Sequence, residues 1–179
     1  HKYGSKILAQ IYHAGRQTSS NITGYQPVAP SPVACPTIQE IPHEMTKEEI
    51  KETVEQFGQT ALRAKKAGFD GIEIHGGHGY LVAEFMSMNS NKRSDIYGGS
   101  LTNRMRFPLE IIANIREKVG EDFIIGFRIS AVEPVPDGRN IEDTKAIAVM
   151  LEGAGVDLIH VSSGLYAAFD STTPVSVKP

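Results

Sequence analysis

The chain has a single cysteine, no long apolar run and no large excess of charge of either sign, and each shortage excludes a class of protein. One cysteine, Cys35, excludes an internal disulfide framework and a zinc site of the multi-cysteine kind, and it is typical of a reducing compartment. No stretch of about 18 or more apolar residues is present, and the first residues are not followed by the apolar core of a signal peptide. We therefore expect a soluble, cytoplasmic protein.

The charges are nearly balanced, since 18 Lys and Arg face 21 Asp and Glu and the formal net charge is −3. No basic field is available to attract nucleic acid or an anionic membrane surface. The length of 179 residues corresponds to about one domain of ~150 residues, and the 40% of hydrophobic residues supply a core. We expect one domain that binds neither nucleic acid nor membranes.

Apolar runs of strand length alternate along the chain with segments of helical spacing. The strand-like runs cover residues 7–12, 71–75, 123–129 and 157–161, and the helical segments cover residues 47–67, 103–119 and 141–153. Short apolar strands separated by helices are typical of a parallel sheet whose faces are covered, so the pattern predicts an α/β fold. Two long connections, 17–45 and 75–102, both follow strands, and loops at the carboxyl ends of parallel strands build ligand sites.

The segment most informative about chemistry is Gly-Ile-Glu-Ile-His-Gly-Gly-His-Gly-Tyr, residues 71–80. It runs from a predicted strand directly into a glycine-rich turn, where the backbone can adopt conformations closed to other residues. His75, His78 and Tyr80 can therefore converge on one small cavity. Two imidazoles can hydrogen-bond a carbonyl or nitro oxygen and stabilise its developing charge, while a tyrosine hydroxyl can deliver a proton to a nearby carbon.

Two other interpretations of this segment remain open. His75 and His78 have the spacing of metal ligands, with Glu73 nearby, as in a metal-dependent barrel hydrolase or lyase. Alternatively, the histidines cap a strand end, and the chain is a non-catalytic module.

Several ordered blocks resemble the Old Yellow Enzyme family of flavin oxidoreductases, particularly its bacterial NADH:flavin oxidoreductase and 2,4-dienoyl-CoA reductase branch. The blocks are residues 9–16, 29–31, 75–81, 91–107, 126–130 and 160–164. These six blocks are spread over nearly the whole chain, which makes the resemblance far more specific than a lone glycine motif. Between two of these blocks, Glu84 stands where the family commonly has Gln.

The resemblance implies a (β/α)8 TIM barrel that carries FMN and takes electrons from NADH or NADPH. It implies that His75 and His78 bind the substrate oxygen, that Tyr80 donates the proton, and that Gln10 and Arg128 contact the flavin ring. The implied reaction is reduction of the C=C bond of a small α,β-unsaturated carbonyl compound. We also expect a homo-oligomer and no metal ion.

The length departs from the family pattern, because a complete barrel needs ~250 residues and only four long strands are predicted here. We therefore expect residues 1–179 to form a single partial FMN-binding barrel domain, about strands three to six, within a longer catalytic domain. On its own, such a fragment is expected to be inactive.

Overall fold

A computed structural model describes residues 1–165 of the chain. The strands are β1 (Leu8–Ile11), β2 (Val28–Ala29), β3 (His43–Glu44), β4 (Gly71–Gly76), β5 (Ile124–Ser130) and β6 (Leu158–Ser162). The helices are α1 (Ser20–Thr23), α2 (Lys47–Lys66), α3 (Leu81–Met86), α4 (Leu101–Arg104), α5 (Arg106–Val119) and α6 (Ile141–Gly153). The four predicted strands and the three predicted helices are therefore all present, with boundaries within a few residues.

The main sheet has four strands in the order β1-β4-β5-β6, and every neighbouring pair is parallel. Strands that follow one another in space as in the chain, each joined to the next by a helical connection, give the architecture of part of a (β/α)8 barrel. The predicted α/β fold with a parallel sheet is confirmed. A separate two-residue ladder pairs β2 with β3 inside the first long connection.

The longest helix, α2, begins at a capping box, in agreement with the predicted helical segment 47–67. The Thr46 side chain accepts from the Glu49 backbone N–H, and the Glu49 carboxylate accepts from the Thr46 backbone N–H, which completes a capping box. Ile50, Phe57 and Ala61 lie on one face of the helix and are buried. This face packs with α5 over the sheet.

The two faces of the sheet differ in chemistry because side chains alternate along each strand. Ile72, Ile74, Ile125 and Phe127 are completely buried in the hydrophobic core together with residues of α2 and α5. The other face is polar, and in strand order it carries Gln10, Glu73, His75, Arg128 and His160. The polar face therefore holds the candidate site residues side by side.

The two long connections brace each other at the carboxyl ends of the strands. The Arg93 guanidinium donates to the carbonyl oxygens of Pro30 (3.0 Å) and Met45 (2.7 Å) and forms a bidentate pair with Asp95. Arginine can satisfy several carbonyl groups that have no partner in regular structure, so one side chain joins the loops. In the described residues, no helix is long and apolar enough to cross a membrane.

Candidate active site

The turn after β4 is held in an unusual backbone conformation. His78 (φ 56°) and Gly79 (φ 77°) are both left-handed, which is uncommon for a residue with a side chain. The His78 N–H donates to Ser130 Oγ (2.9 Å), and Gln17 Nε2 donates to the His78 carbonyl oxygen (3.0 Å). Neighbouring elements therefore fix the conformation that directs His78 toward His75.

Glycine is required where this turn crosses β5. A side chain at Gly76 would collide with the ring of Phe127, and one at Gly77 would crowd the backbone of Ser130 at 3.2 Å. The close approach of two backbones explains why glycines separate the two histidines.

The rings of His75, His78 and Tyr80 come together in the structure. The His75 ring centroid lies 5.1 Å from that of His78 and 5.1 Å from that of Tyr80. His78 Nδ1 and His75 Nε2 are 3.3 Å apart, so one ring nitrogen of each histidine faces the same small space. Tyr12, which directly follows β1, packs against Tyr80 with a centroid distance of 5.2 Å. The structure thus brings together all three residues that the sequence selected.

Both histidines are neutral at physiological pH. Burial, with smaller contributions from His78 and Arg128, lowers the pKa of His75 to about 4. Burial and the nearby Arg128 also lower the pKa of His78. A neutral imidazole has one N–H, so a ring that carries its hydrogen on the facing nitrogen can donate one hydrogen bond to an oxygen placed beside the pair.

A serine that the sequence analysis did not select contacts His78. Ser162, at the end of β6, places Oγ 2.7 Å from His78 Nε2, and Arg128 Nη2 donates to the same oxygen at 3.3 Å. Ser162 lies in the family block 160–164, but its contact depends on the register between β5 and β6. No feature of the local sequence indicates it.

The Glu73 carboxylate links the outer strands of the polar face. Gln10 Nε2 donates to Glu73 Oε2, and His160 Nδ1 lies 2.8 Å from Glu73 Oε1. The first bond fixes which end of the Gln10 amide points toward Glu73, so the amide carbonyl remains for another partner. Sequence reasoning considered Glu73 only as a possible third metal ligand.

The residues expected to contact the flavin ring lie on the same face as the histidines. Arg128 pairs across the sheet with His75, and its buried Nε atom has no hydrogen-bond partner among the described residues. A buried donor without an acceptor is costly, and a carbonyl or ring nitrogen of a bound flavin would satisfy it. Gln10 and Arg128 are therefore suited to hold the polar edge of FMN.

The metal-site interpretation finds little support here. Within residues 1–165, no group of three or more His, Cys, Asp or Glu side chains is arranged to hold a metal ion. Glu73 instead forms the hydrogen bonds with Gln10 and His160 described above.

A buried carboxyl group lies beneath the loop that follows β1. Glu84 of α3 is 1% exposed, and its Oε1 accepts from the Arg16 backbone N–H at 2.9 Å. Burial raises the pKa of Glu84 well above its ordinary range, which favours the protonated, neutral form of this side chain. The Arg16 guanidinium in turn donates to the Val33 carbonyl oxygen at 3.1 Å, which braces the proline-rich loop.

Comparison with known proteins identifies the family. Residues 1–178 match the model of the NADH:flavin oxidoreductase / NADH oxidase family. An NADH oxidase of Thermoanaerobacter brockii is 58% identical over 167 residues, covering 93% of this chain and 26% of that protein. An NADPH dehydrogenase of a Geobacillus species is 47% identical over 163 residues, covering 91% of this chain and 46% of that protein.

Solved structures agree with this family. A 2-naphthoyl-CoA reductase superposes with a TM-score of 0.88 and 33% identity, covering 93% of this chain and 27% of that one. Morphinone reductase bound to tetrahydroNAD gives a TM-score of 0.80 and 30% identity, covering 90% of this chain and 50% of that one. An Old Yellow Enzyme homologue from Zymomonas mobilis gives 0.82 and 30%, with coverages of 92% and 49%. The chain therefore spans between about a quarter and a half of the length of these relatives.

Proposed function

The chain belongs to the NADH:flavin oxidoreductase / NADH oxidase family, and from this premise we propose that it carries the substrate-binding half of an ene-reductase site. The family and the names of its relatives support FMN as the cofactor and NADH or NADPH as the reductant, as the resemblance implies. The proposed reaction is reduction of the C=C bond of an α,β-unsaturated carbonyl compound. Residues 1–179 would form one partial barrel domain of the catalytic unit.

The observation that carries this proposal is the 3.3 Å approach of His78 Nδ1 to His75 Nε2. An oxygen atom placed beside this pair can accept a hydrogen bond from each neutral ring. Such donors, fixed in advance, stabilise negative charge that develops on a carbonyl oxygen during reduction of the conjugated double bond. Because both rings are neutral, they polarise the oxygen without transferring a full proton to it.

Tyr80 supplies the proton in this proposal. Its ring lies against His75 with a centroid distance of 5.1 Å, two residues beyond His78 in the chain, which is close enough for the phenol to serve the same substrate. A phenol is a suitable general acid here, because it stays protonated at neutral pH and can transfer its proton to a carbon that gains electron density in the transition state. In this proposal, His75 and His78 bind the carbonyl oxygen of the substrate, and the neighbouring Tyr80 protonates its carbon.

Gln10 and Arg128 would hold the polar edge of the flavin, and Glu73 would keep the Gln10 amide oriented. When bound, FMN supplies the hydride that the β-carbon of the substrate accepts. The fixed positive charge of Arg128 favours binding of an anionic ring at this position.

The first test replaces one donor of the oxygen-binding pair, in the full-length parent protein loaded with flavin. We expect His78→Ala to weaken phenolic ligand binding and to lower turnover by roughly 10²- to 10³-fold, since losing one such donor typically costs about 2.7 to 4 kcal/mol. Flavin content should stay unchanged. His43→Ala, at an exposed histidine paired with Glu49, is the matched control and should alter neither property. Loss of flavin with normal ligand titration would contradict the assignment.

The second test separates proton donation from hydride delivery. Tyr80→Phe should slow reoxidation of the reduced enzyme by an enone and leave flavin reduction by NADH or NADPH nearly intact, because only the former step needs the phenol proton. Stopped-flow absorbance resolves the two half-reactions. Tyr25→Phe, at an 80% exposed tyrosine, is the control. Equal slowing of both half-reactions would refute the role of Tyr80.

A further inference from the structure

The two ring nitrogens of His78 have different partners, and a neutral imidazole carries only one hydrogen for them. Nδ1 faces His75 Nε2 at 3.3 Å, in the space where a substrate oxygen would bind. Nε2 lies 2.7 Å from Ser162 Oγ, on the side away from that space. The position of the single hydrogen therefore decides whether His78 can donate to a substrate at all.

The surroundings of Ser162 determine where this hydrogen lies. Ser162 Oγ accepts from Arg128 Nη2 at 3.3 Å, and a guanidinium group can only donate. The Ser162 hydroxyl also has a hydrogen of its own to place, and His78 Nε2 is the acceptor at hydrogen-bond distance. If His78 Nε2 carried a hydrogen instead, Ser162 would accept from two donors and its own hydrogen would have no partner among these groups.

We infer that Ser162 is a positioning residue that holds His78 in its Nδ1–H tautomer and so directs the His78 donor toward the substrate oxygen. This inference rests on the proposed function for its consequence, although the tautomer itself is a property of the protein without ligand. The hydrogen bonds run in one direction, from Arg128 to Ser162 and from Ser162 to His78. Ser162 thereby connects Arg128, which we assign to the flavin edge, with His78, which we assign to the substrate oxygen.

This direction is consistent with the electrostatics of the site. The lowered pKa of His78 keeps its ring neutral, so its two nitrogens remain distinct as donor and acceptor. Groups that hydrogen-bond the far nitrogen of a functional histidine commonly fix its tautomer. The charged and titratable groups around His78 are Arg128, His75 and His160.

The decisive measurement is the tautomer of His78 by nitrogen NMR of the chain labelled with 15N-histidine, without flavin or substrate. Two-bond correlations from the carbon-bound ring hydrogens distinguish a protonated from an unprotonated nitrogen. We expect an Nδ1–H signal for His78 in the native chain, a shift of population toward Nε2–H in Ser162→Ala, and return of Nδ1–H in Ser162→Thr, which keeps a hydroxyl. Ser163→Ala, at the exposed neighbour, is the control and should not move the signal.

A native chain with hydrogen on His78 Nε2 would overturn the inference, and so would a folded Ser162→Ala variant with unchanged tautomer. If Ser162→Ala does not fold, the tautomer of His78 measured in the native chain is by itself the test of the inference. In the full-length parent protein loaded with flavin, Ser162→Ala should weaken phenolic ligand binding by about tenfold, as expected for one lost hydrogen bond, with flavin content unchanged. A correct tautomer combined with normal ligand binding in His78→Ala would instead contradict the proposed function and leave the tautomer assignment intact.

Discussion

The contacts of some single residues can be predicted from the sequence, and those of others cannot. His75, His78 and Tyr80 are close in the chain, so a strand followed by a glycine-rich turn is enough to predict that they converge. Ser162 and Glu73 contact residues more than 60 positions away, and those contacts depend on the register of neighbouring strands. The local sequence therefore predicts the groups that would touch the substrate, but not the groups that orient them.

The buried acid Glu84 gives a prediction about pH at the scale of one residue. Because burial raises its pKa in the folded chain above the ordinary value of 4.5, the unfolded chain loses this proton first as pH rises. Its contribution to stability is complete below about pH 4.5 and is lost as pH rises toward the folded pKa. Glu84→Gln keeps the shape and the acceptor for Arg16 but cannot ionise.

We therefore expect the free energy of unfolding of Glu84→Gln, relative to the native chain, to increase as pH rises from 4.5 to 8. Urea unfolding at several pH values measures this difference. Glu117→Gln, at an exposed position of α5, is the matched control and should show no such trend. A constant difference between Glu84→Gln and the native chain would show that Glu84 ionises normally.

At the scale of elements, helices with a capping signal and an amphipathic pattern were predictable, and the short buried ones were not. The helix α2 carries both signals. By contrast, α3 has only six residues, all of them buried, so it shows no polar face and no periodicity. Its position follows from tertiary contacts, such as the hydrogen bond from the Leu81 N–H to the His13 carbonyl oxygen at 3.1 Å.

The capping box of α2 can be tested by one substitution. Thr46→Ala removes the side-chain acceptor of the Glu49 N–H and should lower the free energy of unfolding by about 1 kcal/mol. Thr60→Ala makes the same chemical change inside the same helix, where alanine favours helix formation, and should cost little or nothing. Thermal or urea unfolding of both variants measures the contrast. Equal losses would mean that the cap does not stabilise α2.

At the scale of the whole molecule, the repeated strand and helix pattern predicted the parallel sheet, and the family resemblance implied that it is part of a barrel. The polar character of one sheet face was not predicted, because the apolar runs suggested strands buried on both faces. Gln10, Glu73 and Arg128 break these runs at alternate positions, and the break marks the face on which the candidate site lies.

The exposed parts of this sheet lead to a prediction about assembly. Among the described residues, β1 and β6 each pair with one neighbouring strand only, and Leu158 and Val161 of β6 are 49% and 62% exposed. An unpaired strand edge beside exposed apolar side chains favours pairing with another chain. We propose that the 179-residue chain on its own self-associates, and that it retains little FMN because Gln10 and Arg128 engage only the ring.

Sedimentation of the purified chain, with an absorbance spectrum of the same sample, tests both parts of this proposal. We expect a colourless oligomer, and a yellow monomer would contradict it. Val161→Lys places a charge on the exposed strand and should shift the chain toward monomer, since charged side chains on edge strands oppose pairing. Val149→Lys makes the same change at a 69% exposed position of α6, away from the sheet edge, and should leave the assembly unchanged. If both variants dissociate equally, net charge rather than the β6 edge controls the association.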